Sequence, residues 1–284
     1  MLGSKPKPPR QTSPAASAPA FRLREPLSPW RAKAVGLLSV AVAVGVWWML
    51  TWGRVPEARL VSPVVLPSPL EVIGSIRSLV TERALGESIA ATLWRVLLGF
   101  GLAAAVGTPL GVLAGAWRGF EAAAAPLALF GRNIPIAALI PLTIMWFGIG
   151  ETQKLMFIFI ACLPFVFSDA LQAIVAVPGR YVDTAQTLGA NSLQVVTKVL
   201  VPLALPDIYV SLRNLFGLAF GYIMLAELIN ARYGLGYLLS TSQRRGLTEH
   251  IILILFVIGA LAYGIDRLLY AIQRGLFPYQ ESSE

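Results

Sequence analysis

The strongest constraint on this chain is a series of apolar stretches, each about as long as a lipid bilayer is thick. A helix rises 1.5 Å per residue, so about 20 apolar residues span a hydrocarbon core of ~30 Å. Runs of this kind fall at 34–52, 93–117, 155–177, 212–229 and 251–269. A further run, 121–149, is equally apolar but is interrupted by Arg132, Asn133, Pro135 and Pro141. It reads either as one kinked span or as a short helix followed by a span. With 56% hydrophobic residues over 284 positions, the chain is expected to be an all-α polytopic membrane protein with about six transmembrane helices.

The polar segments divide the rest. Residues 1–30 are rich in Pro, Ala, Ser and basic side chains, without apolar periodicity, and read as a disordered cytoplasmic tail. A net charge of +8 raises the question of nucleic acid. However, Lys5, Lys7, Arg10, Arg22, Arg24, Arg31 and Lys33 all precede or open the first apolar run, which points to anionic membrane lipid and cytoplasmic retention instead. Residues 34–52, closed by Trp47, Trp48 and Trp52, form an uncleaved anchor. An extracytoplasmic loop follows at 53–92. Within it Ser68-Pro69-Leu70-Glu71 combines an N-cap, a first-turn proline and a capping-box glutamate. Val72, Ile73, Ile76, Leu79 and Val80 then recur at helical spacing, predicting one amphipathic helix lying on the membrane surface. The core domain is expected over 93–274 and a cytoplasmic tail over 275–284.

Lys and Arg set the expected orientation. With the N-terminus inside, the cytoplasmic side carries the seven residues above plus Arg118, Arg180, Lys198, Arg213, Arg267 and Arg274. The outer side carries Arg54, Arg59, Arg77, Arg83, Arg95, Lys154, Arg232, Arg244 and Arg245, with Arg132 unassigned. Both termini and the segment 178–208 therefore fall in the cytoplasm.

That segment interrupts the apolar pattern. Pro178 and Gly179 end one run, and Pro202 and Pro206 precede the next. Between them, a helix over about 180–188 stops at Gly189, which suits the left-handed conformation of a helix terminator. Asn191 then caps a second helix with Gln194 in the reciprocal position. A helix–Gly–helix between spans suggests a shaped ledge for a partner. In the 93–117 run, Gly107, Gly111 and Gly115 make two small-xxx-small steps suited to close helix contact.

Asp183-Thr184-Ala185, six residues before Gly189, and Val199-Leu200-Val201-Pro202 after it resemble the Glu-Ala-Ala motif and its Ile-x-Leu-Pro ending in inner-membrane subunits of ABC importers. The sequence departs from that pattern by Asp for Glu, Thr for Ala, Val for Ile and Val for Leu. LPSP at 66–69, PLTIMWFGIGE at 141–151, AELI at 226–229 and GLGYLL at 234–239 narrow the resemblance to the nitrate/sulfonate/taurine branch, from about residue 66 onward. The resemblance implies a type I importer permease in a bacterial inner membrane. It also implies two cytoplasmic ABC ATPases that bind the ATP and Mg, a second permease copy, most simply as a homodimer, and an extracytoplasmic solute-binding protein. The ATPase-coupling residues carried over are Asp183, Thr184, Ala185, Leu188, Gly189, Ala190 and Asn191.

Chemistry within the chain is sparse. No phosphate-binding GxxxxGK precedes a Ser or Thr, and none of the five lysines follows a glycine, so nucleotide hydrolysis is expected on another chain. No cofactor or metal set is readable. Cys162 is the sole cysteine and is expected to serve packing. Ionisable groups inside apolar runs are costly and so informative, and Glu227, Asp169 and Arg95 are the candidate pathway residues. Asp266, beside Arg267 near a span end, reads as an ion pair. Two other functions use the same features: an ion-coupled secondary carrier, or an intramembrane enzyme using Asp169, Glu227 or His250.

Overall fold

The structure, a computed structural model, describes residues 28–53, 59–229 and 231–278. Most of the tail expected over 1–30, and the end of the one expected over 275–284, lie outside these residues. The chain divides into two units, one up to residue 49 and the other from residue 50 onward. The described part of the first is essentially helix α1 (Pro29–Leu50), 22 residues long and apolar enough to cross a membrane.

The second unit opens with two short helices where one was expected. Ser68 caps α2 (Pro69–Gly74): Glu71 N–H donates to its hydroxyl at 3.3 Å, and Ser68 N–H donates back to the Glu71 carboxylate at 2.7 Å. The helix stops at Ser75, and α3 (Ile76–Thr81) restarts at once. The break changes the inward face. Val72, Ser75 and Leu79 are buried, while Ile73, Ile76 and Val80 are exposed. The continuous amphipathic face expected from spacing is therefore replaced by a shorter one, because Leu79 docks among Leu85, Leu235, Leu238 and Ile254.

Helix α4 (Leu85–Ala116) packs along α7 (Glu151–Val175). Glycines make that contact possible. A Cβ on Gly99 would lie 2.8 Å from Ile158 Cβ, on Gly107 2.9 Å from Val166, and on Gly115 2.7 Å from Ile174. Successive α4 glycines thus meet successively later α7 residues, so the two helices run parallel. The connection between them must return the chain to its starting end. It does so through α5 (Arg118–Asn133), a 3-10 turn and α6 (Leu139–Phe147), two arms bent by 90°. Among the described residues five helices are long and apolar enough to span, and the bent pair, taken as one span, would make a sixth.

After α7 the ledge begins with α8 (Gly179–Thr187) and α9 (Ser192–Val195). Here Pro202 and Pro206 do not separate ledge from span. A π-helical turn over Val196–Leu200 joins α9 to α10 (Val201–Glu227), giving a continuous 36-residue rod from Ser192. The extra residue of the π turn lets Val201 N–H donate to Val196 five positions back. Pro202, which has no N–H, follows at once, at the seam where the wider bonding of the π turn gives way to α10.

Helix α10 runs antiparallel to α4. Phe100 and Phe216 meet edge to face at 5.4 Å in a core that includes Val96, Phe157, Ile158, Phe220 and Ile223. Cys162 is buried in the same core, as its packing role requires. Helices α11 (Leu235–Arg244) and α12 (Thr248–Leu276) complete the unit. Asp266 accepts from Arg213 of α10 at 2.6 and 2.9 Å, so this ion pair joins α10 to α12.

Candidate functional site

Two sites stand at opposite ends of the second unit. The ledge is built by local backbone chemistry. Gly189 has φ +84°, its N–H donates to Gln186 O at 2.9 Å, and Ala190 N–H donates to Ala185 O at 3.0 Å. This pair of bonds is the Schellman ending of a helix, which leaves the terminator in a conformation most residues avoid. Asn191 Oδ1 then accepts from Gln194 N–H, and Gln194 Oε1 from Asn191 N–H, each at 2.9 Å. Ala185 and Ala190 turn inward with Val182 onto Ala170, Ala173, Ile174, Val195 and Val196. Asp183, Thr184 and Asn191 face outward, and Leu188 is 83% exposed. A bare leucine at the tip of a polar turn anchored from beneath is suited to insert into a partner.

At the far end, four elements converge on one charge network, buried at Arg95 and Glu227 and open to the surface at Glu151. Arg95 of α4 donates through Nε and Nη2 to both Glu151 oxygens, at 2.6 and 2.7 Å. Its Nη1 reaches Glu227 Oε1 and the Tyr233 carbonyl, both at 2.7 Å. Glu227 ends α10 with no exposed surface, and Thr92 Oγ1 lies 2.9 Å from its Oε1. Gly236 N–H donates to Oε2 at 2.9 Å, and Leu235 N–H donates to Thr92 Oγ1 at 3.0 Å. The first two amides of α11, which lack helical partners, are satisfied in this way. The glycines of GLGYLL make room for the network. Gly234 has φ +139°, and a side chain there would strike the Glu227 carboxylate; one on Gly236 would meet Met224 O.

Of the three expected pathway residues, the structure brings Arg95 and Glu227 together and leaves Asp169 apart. Asp169 is half-buried on α7, one turn beyond Phe165, whose ring lies under the Arg132 guanidinium at 5.1 Å. Ser168, beside it, lines a cleft of about 830 Å³ between α5 and α7. His250 pairs with Ser78 Oγ at 2.9 Å and is buried against α3, so Asp169, Glu227 and His250 make no common centre. Sequence reasoning missed Glu151, Thr92 and the Tyr233 carbonyl as partners, although Glu151 closes PLTIMWFGIGE and Gly234 opens GLGYLL. Among the described residues no group of three or more His, Cys, Asp or Glu is arranged to hold a metal.

A family model described as "Binding-protein-dependent transport system inner membrane component" matches residues 107–278. A probable ABC transporter permease of Brucella abortus (strain 2308) is 36% identical over 247 residues, 87% of this chain and 96% of that protein. The taurine transport system permease of Escherichia coli (strain K12) is 32% identical over 264 residues, 91% of this chain and 94% of the relative. In fold, the chain is similar to an inward-facing structure of the MetNI methionine ABC transporter, with a TM-score of 0.61 at 22% identity, covering 67% of this chain and 95% of that one. The ledge around Gly189, the glycine-spaced spans and these matches together establish that the chain belongs to the inner-membrane component family of binding-protein-dependent transport systems and is a permease subunit of an ABC importer.

Proposed function

We propose that this permease imports a small organic or inorganic anion, such as a sulfonate, taurine or nitrate, and does no catalysis itself. Two copies work with two cytoplasmic ATPases, which bind ATP and Mg, and with an extracytoplasmic solute-binding protein. The taurine permease relative supports the anion class. An open side on α5 supports the second copy: Leu127, Leu129 and Phe130 are exposed there, while Arg118, Glu121 and Arg132 give the neighbouring cleft a polar wall. Both termini and the ledge face the cytoplasm in this reading, in line with the Lys and Arg distribution.

In the mechanism, ATP-driven closure of the ATPases moves the ledge. The continuous rod from Ser192 to Glu227 carries that displacement to the far end as a rigid body. There Glu227 holds the start of α11, so the outer loop follows α10. Arg95 and Glu227 thus serve the pathway by holding its outer end, and Asp169 by its place beside the α5–α7 cleft.

The observation that carries this reading is the Gly189 turn with its exposed Leu188. Gly189→Val tests it, since a β-branched residue is strongly disfavoured at φ +84° although the space around Gly189 is open. The variant should insert normally but lose ATPase copurification and substrate-stimulated ATP hydrolysis. Full ATPase binding and transport by Gly189→Val would remove the ledge as the coupling site. A secondary carrier would instead import into vesicles without ATP.

A further inference from the structure

The outer end carries a further concavity, which shares only Tyr233 with the charge network below it. It encloses about 550 Å³ between the α3–α4 turn, the loop before α11, and α11 itself. Arg83, Arg232 and Arg245 line it with Tyr233, Tyr237 and Thr241, and Glu82 is the sole acidic residue of the wall. No ion pair or hydrogen bond ties any of the three guanidinium groups among the described residues. Arg59, Arg95 and Arg213 hold carboxylates elsewhere in the fold, whereas Arg83, Arg232 and Arg245 hold none among the described residues and are gathered around one concavity.

The wall is also ordered. Tyr237 and Thr241 of α11 and Arg245, its C-cap, recur at four-residue spacing and so share one side, while Leu235 and Ser242 are buried on the other. Thr241 Oγ1 donates back to the Tyr237 carbonyl at 3.0 Å. The loop bearing Arg232 and Tyr233 is fixed from below, where Arg95 holds the Tyr233 carbonyl. Ala84, the only non-glycine residue with positive φ among the described residues, at +51°, turns the chain behind Arg83.

From this geometry we infer that the basin is an anion-binding vestibule, which takes the oxyanion head of the transported solute before it enters the pathway. Guanidinium forks match the oxygens of a sulfonate or nitrate, and phenol hydroxyls donate further hydrogen bonds. A concave, positively charged wall also raises the local anion concentration. A site of this size suits a small molecule. The inference rests on the anion class proposed above but is independent of the ledge.

The test uses the full chain copurified with its ATPase in lipid nanodiscs, without the binding protein and in a gluconate buffer. Radiolabelled methanesulfonate is the probe. Saturable binding is expected, displaced by nitrate and not by methylammonium, and weakened at least tenfold in Arg232→Gln/Arg245→Gln. In the unmodified protein, methanesulfonate should protect Arg232 and Arg245 from phenylglyoxal, read by peptide mass, so the result does not depend on a variant folding. Absence of saturable binding, unchanged affinity in the double variant, or lack of protection overturns the vestibule. So does a double variant that binds methanesulfonate normally yet no longer associates with the binding protein, since the basin would then receive acidic side chains of that protein. None of these outcomes bears on the coupling role of Gly189, which is read separately by ATPase copurification.

Discussion

Glu227 has no exposed surface, and both of its oxygens are engaged, by Arg95, Thr92 and the Gly236 amide. Glu227→Gln keeps the shape but turns an N–H2 group towards donors and leaves part of Arg95 buried without its counter-charge. Removing one member of such a pair costs about 3–5 kcal/mol. Glu227→Gln should therefore lower thermal stability in detergent and reduce transport, and Gly234→Ala should act alike by displacing the carboxylate; wild-type melting in both variants would show that the network contributes nothing. Glu71 is a different case, partly exposed and outside the spans. The Arg59 guanidinium, at 2.9 and 3.1 Å, holds its carboxyl down to about 2 from an ordinary 4.5, with the Ser68 cap assisting. Because the folded value is depressed, the stabilisation is complete above about pH 4.5 and is lost as pH falls towards 2. The stability difference between wild type and Glu71→Gln should hold steady from neutral pH to about pH 5, then shrink on acidification. A pH-independent difference would remove the ion pair as its cause. The Ser68 cap was legible because its partner is three residues away. The Glu227–Arg95 pair was not, since 132 positions separate its members and no local pattern encodes which buried charges meet.

Among the helices, glycine positions decide which faces can touch. A Cβ on Gly111 would collide with the Phe167 carbonyl, whereas one on Gly101 would meet no atom within 4 Å. Gly111→Ala should thus force α4 from α7 and destabilise the pair by about 1–3 kcal/mol, as overpacking does. Gly101→Ala should be neutral or gain up to about 1 kcal/mol from helix propensity. Thermal aggregation midpoints of the two variants check this, and equal effects would mean that α4 and α7 are not in close contact. The small-xxx-small spacing announced that α4 has a contact face, but it did not name α7. The prolines were harder to read. Pro202 and Pro206 mark a break by the usual rule, yet a π turn at Val196–Leu200 carries the helix up to Pro202 and α10 continues through Pro206, so ledge and span form one rod. A rod transmits displacement, which a flexible joint would not.

For the whole molecule, the ledge and the basin lie at opposite ends of the parallel α4–α7 pair, and orientation gives each its partner. Single cysteines at Gln186 and Ser240, on a Cys162→Ala background, should react from opposite sides of the membrane with an impermeant thiol reagent. Labelling of both from one side would end this topology. The class, a count of about six spans, the capped helix at Ser68 and the Gly189 turn were all legible in the chain of residues alone. These depend on apolar run length and on contacts between residues only a few positions apart, which composition and spacing encode directly. Tertiary structure decided the rest: the 90° fold of α5 against α6, the split of α2 from α3, the pairing of Arg95 with Glu151 and Glu227, and of Arg213 with Asp266. It also gathered Arg83, Arg232 and Arg245 from three segments into one basin. Each of these depends on which distant surfaces pack together, and in a membrane that choice follows from shape fit and polar pairing between helices whose apolar sequences are nearly interchangeable.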